Sequence, residues 1–389
     1  MPKALWALAI GAFGIGTTEF IIAGLLPGIA NEFKISVSSA GNMATTYALG
    51  VFIGAPLLMI LGAKVEKKKM LLIAMGLFII GNFLTTFSLN YPMALVGRAV
   101  TALCHGVFFG IGSILAADIV APNKRTSAIA FMFSGLAVAN LVGIPAGTWF
   151  SHMWSWRATF FVIMIIGVVS FITTLILVPK TKNHQPPSLK KELFAFADIH
   201  VLLAMGITIL GPAAFFTSIT YIAPMASNIS GFSENGVTVL LLLFGFGLFI
   251  GNYIGGKLAD KALMPLLYAT LIGQAVVLFI FYLVVESQVA TALCVFLMAA
   301  FGFATVSPIQ RLVMDNATAA GAANLASAVN IGFFNLGNAL GAWLGGLVIA
   351  TGFGYAAPNW AGGCLSIGAF ILAVLSSIIS KKKKTENLS

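Results

Sequence analysis

"PKTKNHQPPSLKKELFAFAD", residues 179–198, is the longest polar stretch in a chain of 389 residues and lies near its midpoint. On both sides the chain is strongly apolar. Overall 59% of residues are hydrophobic and 8% charged, where soluble domains carry about 25% charged residues. With 41 Gly and 32 Phe, this is the composition of a polytopic membrane protein. A helix needs about 20 apolar residues to cross a hydrocarbon core of about 30 Å. Counting apolar runs outward from the polar stretch gives six on either side. Those before it lie near 4–27, 39–61, 70–89, 93–118, 126–149 and 158–178; those after it near 199–222, 236–256, 264–285, 289–310, 320–349 and 359–379. The expected organisation is a six-helix bundle over 1–180, a cytoplasmic linker over 181–197, a second bundle over 198–380 and a basic tail over 381–389.

The basic residues orient these spans. With the N-terminus inside, 18 of the 21 Lys and Arg residues fall on the cytoplasmic side, Lys34 and Arg157 fall outside and Arg98 lies within a span. Lysine and arginine mark cytoplasmic loops, and they suit the anionic inner leaflet. The net charge of +10 is therefore a topology signal, with membrane lipids and not nucleic acid as the partner. Both termini are expected in the cytoplasm. The first apolar run, residues 4–27, is longer than the core of a cleavable signal peptide. Cys104, Cys294 and Cys364 sit inside apolar runs and read as packing residues, not as a disulfide framework. "GGKLADK" (255–261) lacks the hydroxyl that a phosphate loop requires after its lysine. With no His-Glu-x-x-His and no Gly-x-Ser-x-Gly beside a helical histidine, the chain is not expected to be an enzyme, and no metal or cofactor is implied.

The two halves echo one another. "GAKVEK" (62–67) follows the second span and "GKLADK" (256–261) the eighth, 194 residues later. "LLPGIANEFKIS" after the first span aligns with "IAPMASNISGFS" after the seventh, pairing Pro27 with Pro224 at an offset of 197. Parallel six-span repeats are the expectation. At the second offset Glu19 pairs with Phe216, so the embedded charge belongs to the first half alone.

Three ionisable residues lie deep in spans: Glu19, Arg98 and His105. A charge at the bilayer centre costs about 2.5–3.5 kcal/mol even on insertion scales, so such groups face an interior or an aqueous cavity. At a rise of about 1.5 Å per residue, Glu19 lies about 12 Å and Arg98 about 8 Å from the outer ends of spans one and four. His105 is two helical turns beyond Arg98, on the same face. One reading is a structural pair that orients two helices. The other is proton handling, in which burial favours a neutral carboxyl, a nearby guanidinium favours the charged form, and a change of surroundings moves the balance. Polar groups in apolar spans (Tyr47, Asn140, Asn330, Asn335, Asn338) and the aromatics Phe109, Phe215, Phe216 and Tyr221 are candidate substrate contacts. Trp154, Trp156 and Trp360 fall at the outer boundary, as interface anchors do. Span five carries Gly135, Ala139, Gly143 and Gly147 with Pro145 among them, and span eleven carries Gly337, Gly341 and Gly345. Such stripes let helices pack backbone to backbone, whether or not they then slide.

These strings carry a resemblance. "GKLADK", with Gly256, Asp260 and Lys261, resembles the loop signature of the major facilitator superfamily, and "GAKVEK", with Gly62, Glu66 and Lys67, is a degraded copy. "LVGRAVTALCHGVFFGIG" (95–112) resembles the family's fourth-span arginine motif. "GLAVANLVGIPAGTW" (135–149) resembles its fifth-span antiporter motif, with Ala139-Asn140 where Gly-Pro is typical. Together with "GTTEFIIAGLLPGIA" and "YALGVFIGAP" these resemble the arabinose-efflux-permease branch of the drug:proton antiporters. The resemblance implies an all-α major facilitator fold: twelve transmembrane helices in two pseudo-symmetric six-helix bundles around a central cavity. It implies export of sugars, drugs or similar small molecules from the bacterial inner membrane in exchange for protons. The alternative on the same fold is a sugar uniporter or proton symporter.

Overall fold

The structure is a computed structural model and describes residues 2–62, 65–121, 125–180, 197–259, 261–320 and 326–386. Most of the linker, and with it His184, lies outside them, as does Asp260. The described residues are almost entirely helical, as the apolar runs require: backbone groups in hydrocarbon must find partners within their own segment.

The first half opens with a broken span. α1 (Lys3–Phe20) gives way at Ile21 to α2 (Ile22–Phe33), and the two axes differ by 53°. Pro27 has no N–H to offer the carbonyl one turn earlier, and the break falls just before that turn. α3 (Val37–Leu61), α4 (Lys67–Thr86) and α5 (Tyr91–Asp118) follow. The side chain of Asn90 caps α5 by accepting from the Met93 amide at 2.9 Å, with Pro92 in the first turn. α6 (Arg125–Val138) runs through a π-turn, Ala139–Gly143, into α7 (Ile144–Met153), and α8 (Trp156–Leu177) completes the half. The second half repeats the plan. α9 (Ile199–Ile219) breaks at Tyr221 before the short α10 (Ile222–Asn228), with Pro224 just past the break. Then come α11 (Glu234–Ala259), α12 (Leu263–Val284), α13 (Gln288–Ala304), α14 (Val306–Ala319), α15 (Ala326–Val348), a π-turn over Ile349–Phe353, and α16 (Ala357–Glu386).

Ten helical spans among the described residues are long and apolar enough to cross a membrane, eleven with the bent pair α1–α2 counted as one. The expected second span corresponds to α3, 25 residues long, which falls outside that number. Large apolar side chains such as Ile53, Leu61, Ile176, Leu283 and Val289 are exposed, as lipid-facing surfaces require and as a water-soluble protein would avoid. Trp154 is exposed as an interface anchor would be. Trp156 is not: it is buried, and its Nε1 donates to Glu32 Oε2 at 2.6 Å.

The chain divides into two compact units, Met1–Pro186 with Ser233–Leu242 and Pro187–Phe232 with Leu243–Ser389. In the first, the small-residue stripe seats α6, the π-turn and α7 on α1. A Cβ at Gly135 would run into the Ala9 carbonyl, one at Gly143 would meet Thr17 Oγ1 at 2.5 Å, and one at Gly147 would meet Ile21 at 2.8 Å. In the second unit α15 sits on α9 in the same way: Gly337, Gly341 and Gly345 abut the carbonyls of Ile209, Ala213 and Thr217. The repeat extends to the backbone. The left-handed residues just after the broken first spans, Lys34 (φ 53°) and Gly231 (φ 71°), lie at the same 197-residue offset as the two prolines. Gly50 and Gly54 against Ala99 and Leu103 match Gly247 and Gly251 against Phe296 and Ala300. The second unit's core brings Ala204 and Ile207 of α9 onto Leu267 and Leu271 of α12, Ile309 and Val313 of α14, and Ala369 and Ala373 of α16.

Candidate functional site

The break after α1 prepares the site. Carbonyls in the last turn of a helix lack intrahelical partners, and Arg98 supplies one. Its Nη1 donates to the Thr18 carbonyl at 2.8 Å and to Thr18 Oγ1 at 3.2 Å, while Nε donates to the Met43 carbonyl of α3 at 3.2 Å. The guanidinium lies 4.3 Å from the ring centroid of Tyr47 on α3 and 5.7 Å from that of Phe160 on α8. Arg98 is fully buried, yet Nη2 makes no hydrogen bond. One side chain thus joins α1, α3, α5 and α8, through contacts that a guanidinium's planar fork makes and an ammonium does not.

Glu19 follows Thr18 directly, with its side chain 9% exposed, as is that of His105. The expected approach of Glu19 to Arg98 takes a specific form: the guanidinium's hydrogen bonds go to the neighbouring Thr18 and to Met43, and His105 Nδ1 stands 4.0 Å from Glu19 Oε2. The same Nδ1 is 3.1 Å from Tyr47 Oη. Phe109, one turn beyond His105, lies with its ring centroid 5.0 Å from the imidazole. Sequence spacing brought together Glu19, Arg98 and His105; the structure adds Tyr47, Thr18, Met43, Phe160 and, through a 3.3 Å hydrogen bond from Thr18 Oγ1, Asn82 of α4. Asn82, a polar residue in an apolar span, carried the same signal as Asn140. Met43 and Phe160 carried none, because the first acts through its carbonyl and the second through its ring.

The remaining candidates divide between the units. Asn140 is buried in the π-turn with Oδ1 unpartnered. In the second unit, Thr208 Oγ1 donates to Asn330 Oδ1 at 2.8 Å, and Asn330 in turn bonds Gln310. Asn335 is buried with Oδ1 unpartnered and Nδ2 on the Ile331 carbonyl, and Asn338 is buried near it in sequence. Tyr221 Oη donates to the Ala342 carbonyl at 2.9 Å. Phe215 and Phe216 are buried against each other with centroids 4.9 Å apart. Phe216 occupies the place of Glu19 in the repeat.

At the opposite end of α5, Lys67 Nζ meets Asp118 Oδ2 at 2.7 Å. Glu66 stands at the N-cap position of α4 with no side-chain capping hydrogen bond, and a Cβ at Gly62 would strike Met70. In the second unit Gly256 is open except for Ser307 Oγ at 3.8 Å, and the Lys261 amide donates to the Leu258 carbonyl. Pro145 lies just after the π-turn, where α6 continues into α7.

A family model described as the Major Facilitator Superfamily matches residues 8–331. The inner membrane transport protein YdhP of Escherichia coli (strain K12) is 40% identical over 96% of this chain and 95% of its own length. The putative transporter AraJ of the same organism is 35% identical over 91% of this chain and 90% of its own. A chloramphenicol resistance protein of Streptomyces lividans is 29% identical over 96% of each. The crystal structure of a D-xylose-proton symporter superposes with a TM-score of 0.76 at 16% identity, covering 95% of this chain and 96% of that one; at that identity the likeness is one of fold.

Proposed function

The chain belongs to the Major Facilitator Superfamily, a family of membrane transporters and not of enzymes, and on that premise we propose that it is a proton-coupled exporter of small molecules. The observation that carries the reading is the enclosure of Glu19, His105 and Arg98 at the break in the first span. With the substrate path open to the cytoplasm, cargo binds and Glu19 gives up its proton; with it open outward, cargo leaves and Glu19 is reprotonated. Arg98 fixes the chain beside Glu19, so the carboxyl's surroundings change when the spans around it move. Asn140, Asn330, Asn335 and Asn338 supply hydrogen bonds to cargo, and Phe109, Phe215, Phe216 and Tyr221 its apolar walls. The glycine stripes, Pro145 and the loops containing Gly62, Glu66, Lys67, Gly256, Asp260 and Lys261 carry the alternation between the two states. Residues 1–180 and 198–380 act as the two lobes, in a bacterial inner membrane with both termini cytoplasmic.

A drug as cargo is supported by the relative named as a chloramphenicol resistance protein; sugars stay in the proposal on the sequence resemblance alone. Everted vesicles test the reading. Across a panel of pentoses, nucleosides and amphipathic drugs, an imposed ΔpH is expected to drive accumulation by the unaltered chain, and Glu19→Gln to abolish that drive. Undiminished ΔpH-driven transport by Glu19→Gln would remove the exchanger mechanism; transport of the same cargo indifferent to ΔpH would point to a uniporter.

A further inference from the structure

His105 offers one nitrogen to two partners. Nδ1 stands 3.1 Å from the hydroxyl of Tyr47 and 4.0 Å from the carboxyl of Glu19. In a neutral imidazole that nitrogen either carries the proton and donates or lacks it and accepts. A carboxylate can only accept, so an ionised Glu19 demands Nδ1–H. A phenol donating to the imidazole demands a bare Nδ1. Both demands cannot be met at once; in the structure the phenol is within hydrogen-bond reach of Nδ1 and the carboxyl, at 4.0 Å, stands just outside it.

We propose, resting on the reading of Glu19 as the exchanging carboxyl, that Tyr47 is a positioning residue that competes with Glu19 for His105 Nδ1 and so makes the hydrogen bonding of α3 report the protonation of α1. With Glu19 protonated, Tyr47 Oη–H donates to bare Nδ1, and the imidazole keeps its single proton on Nε2. When Glu19 passes its proton to Nδ1 and the imidazole releases its Nε2 proton to water, the new Nδ1–H is donated to the carboxylate. The tyrosine hydroxyl then loses its acceptor. The carboxyl O–H and the Nε2–H bonds break, one Nδ1–H bond forms, one proton leaves the cluster to water, and the imidazole is neutral before and after. The helix that must respond is α3, which also carries the Met43 carbonyl held by Arg98.

The surroundings leave few other claimants. The ionisable groups facing this nitrogen are Glu19 from α1 and Tyr47 from α3; on α5 itself Arg98 lies over the Tyr47 ring and Cys104 is the buried neighbour of His105 in sequence. Among the described residues, α2, α4, α7 and α8 carry their ionisable groups toward their ends, at Glu32, Lys67 to Lys69, His152 and Arg157. Tyr47 is 1% exposed, so its hydroxyl has no bulk water to fall back on.

Phenylalanine at 47 keeps the ring beneath Arg98 and removes only the hydroxyl. The full chain in liposomes is titrated while the infrared band of its protonated carboxylic acid is followed, the band being assigned to Glu19 by its loss in Glu19→Gln. Tyr47→Phe is expected to move the midpoint of that band to lower pH by about 0.5–1 unit, the worth of one neutral hydrogen bond. In the His105→Leu background the same tyrosine change is expected to move nothing. An unaltered midpoint in Tyr47→Phe, or an equal shift in the His105→Leu background, would overturn the competition and leave the exchanger reading intact. Absence of any Glu19 band between acid and alkaline pH would remove both.

Discussion

At the scale of single residues, two carbonyls on two helices, those of Thr18 and Met43, accept from one guanidinium, and two aromatic rings bracket it. Lysine at position 98 would keep the charge but reach one carbonyl at a time and lose the planar face. Arg98→Lys is therefore expected to cost about 3–5 kcal/mol, in the range of a broken buried charge network, read as lowered thermal stability in detergent. It should also abolish ΔpH-driven transport where protein remains folded. Much of this cluster was legible in the sequence. Glu19, Arg98 and His105 stand out because ionisable groups are rare in apolar spans, and two helical turns separate the last two on one face. The partners of Arg98 were not legible, because backbone carbonyls look alike in every sequence and only the break at Ile21 frees the one that matters.

Among elements, the glycine stripes make a sharper statement than composition could. Gly135 faces the Ala9 carbonyl so closely that a methyl group there meets backbone, not a side chain that could turn away. Gly76, on α4, has nothing within 4 Å of the position its Cβ would take. Gly135→Ala is expected to destabilise by about 1–3 kcal/mol, as overpacking does. Gly76→Ala should stabilise by about 0.5–1 kcal/mol, because alanine loses less chain entropy in a helix. Melting of the two variants in the same detergent checks both signs. The four-residue spacing of small residues announced that α6 and α7 would pack closely on something. It did not say on what, and the partner, α1, follows from three-dimensional contacts. The π-turn at Ala139–Gly143 was hidden as well: no sequence pattern marks one extra residue in a turn, even where Ala139-Asn140 replaces a Gly-Pro pair.

Across the whole molecule, the duplication read faintly from two short strings appears in the backbone as paired helix breaks, paired left-handed residues and paired glycine seams. Length and apolar runs sufficed for that architecture because hydrocarbon admits so few backbone solutions. Chemically, the copies have diverged. Where the first unit has Glu19 the second has Phe216, and no acidic or basic side chain is buried in the second unit among the described residues. On the proposed exchange, Glu19 as the one deeply enclosed carboxyl among the described residues would cap the stoichiometry at a single hydrogen ion per turnover, which ties cargo charge to bioenergetics. An uncharged cargo would move one net positive charge inward per cycle and draw on the membrane voltage, while a monovalent cation would be exchanged silently. Valinomycin-clamped potentials in proteoliposomes should accordingly accelerate export of neutral cargo when the interior is negative and leave cation export unmoved; a coupling ratio of two would contradict the lone carboxyl.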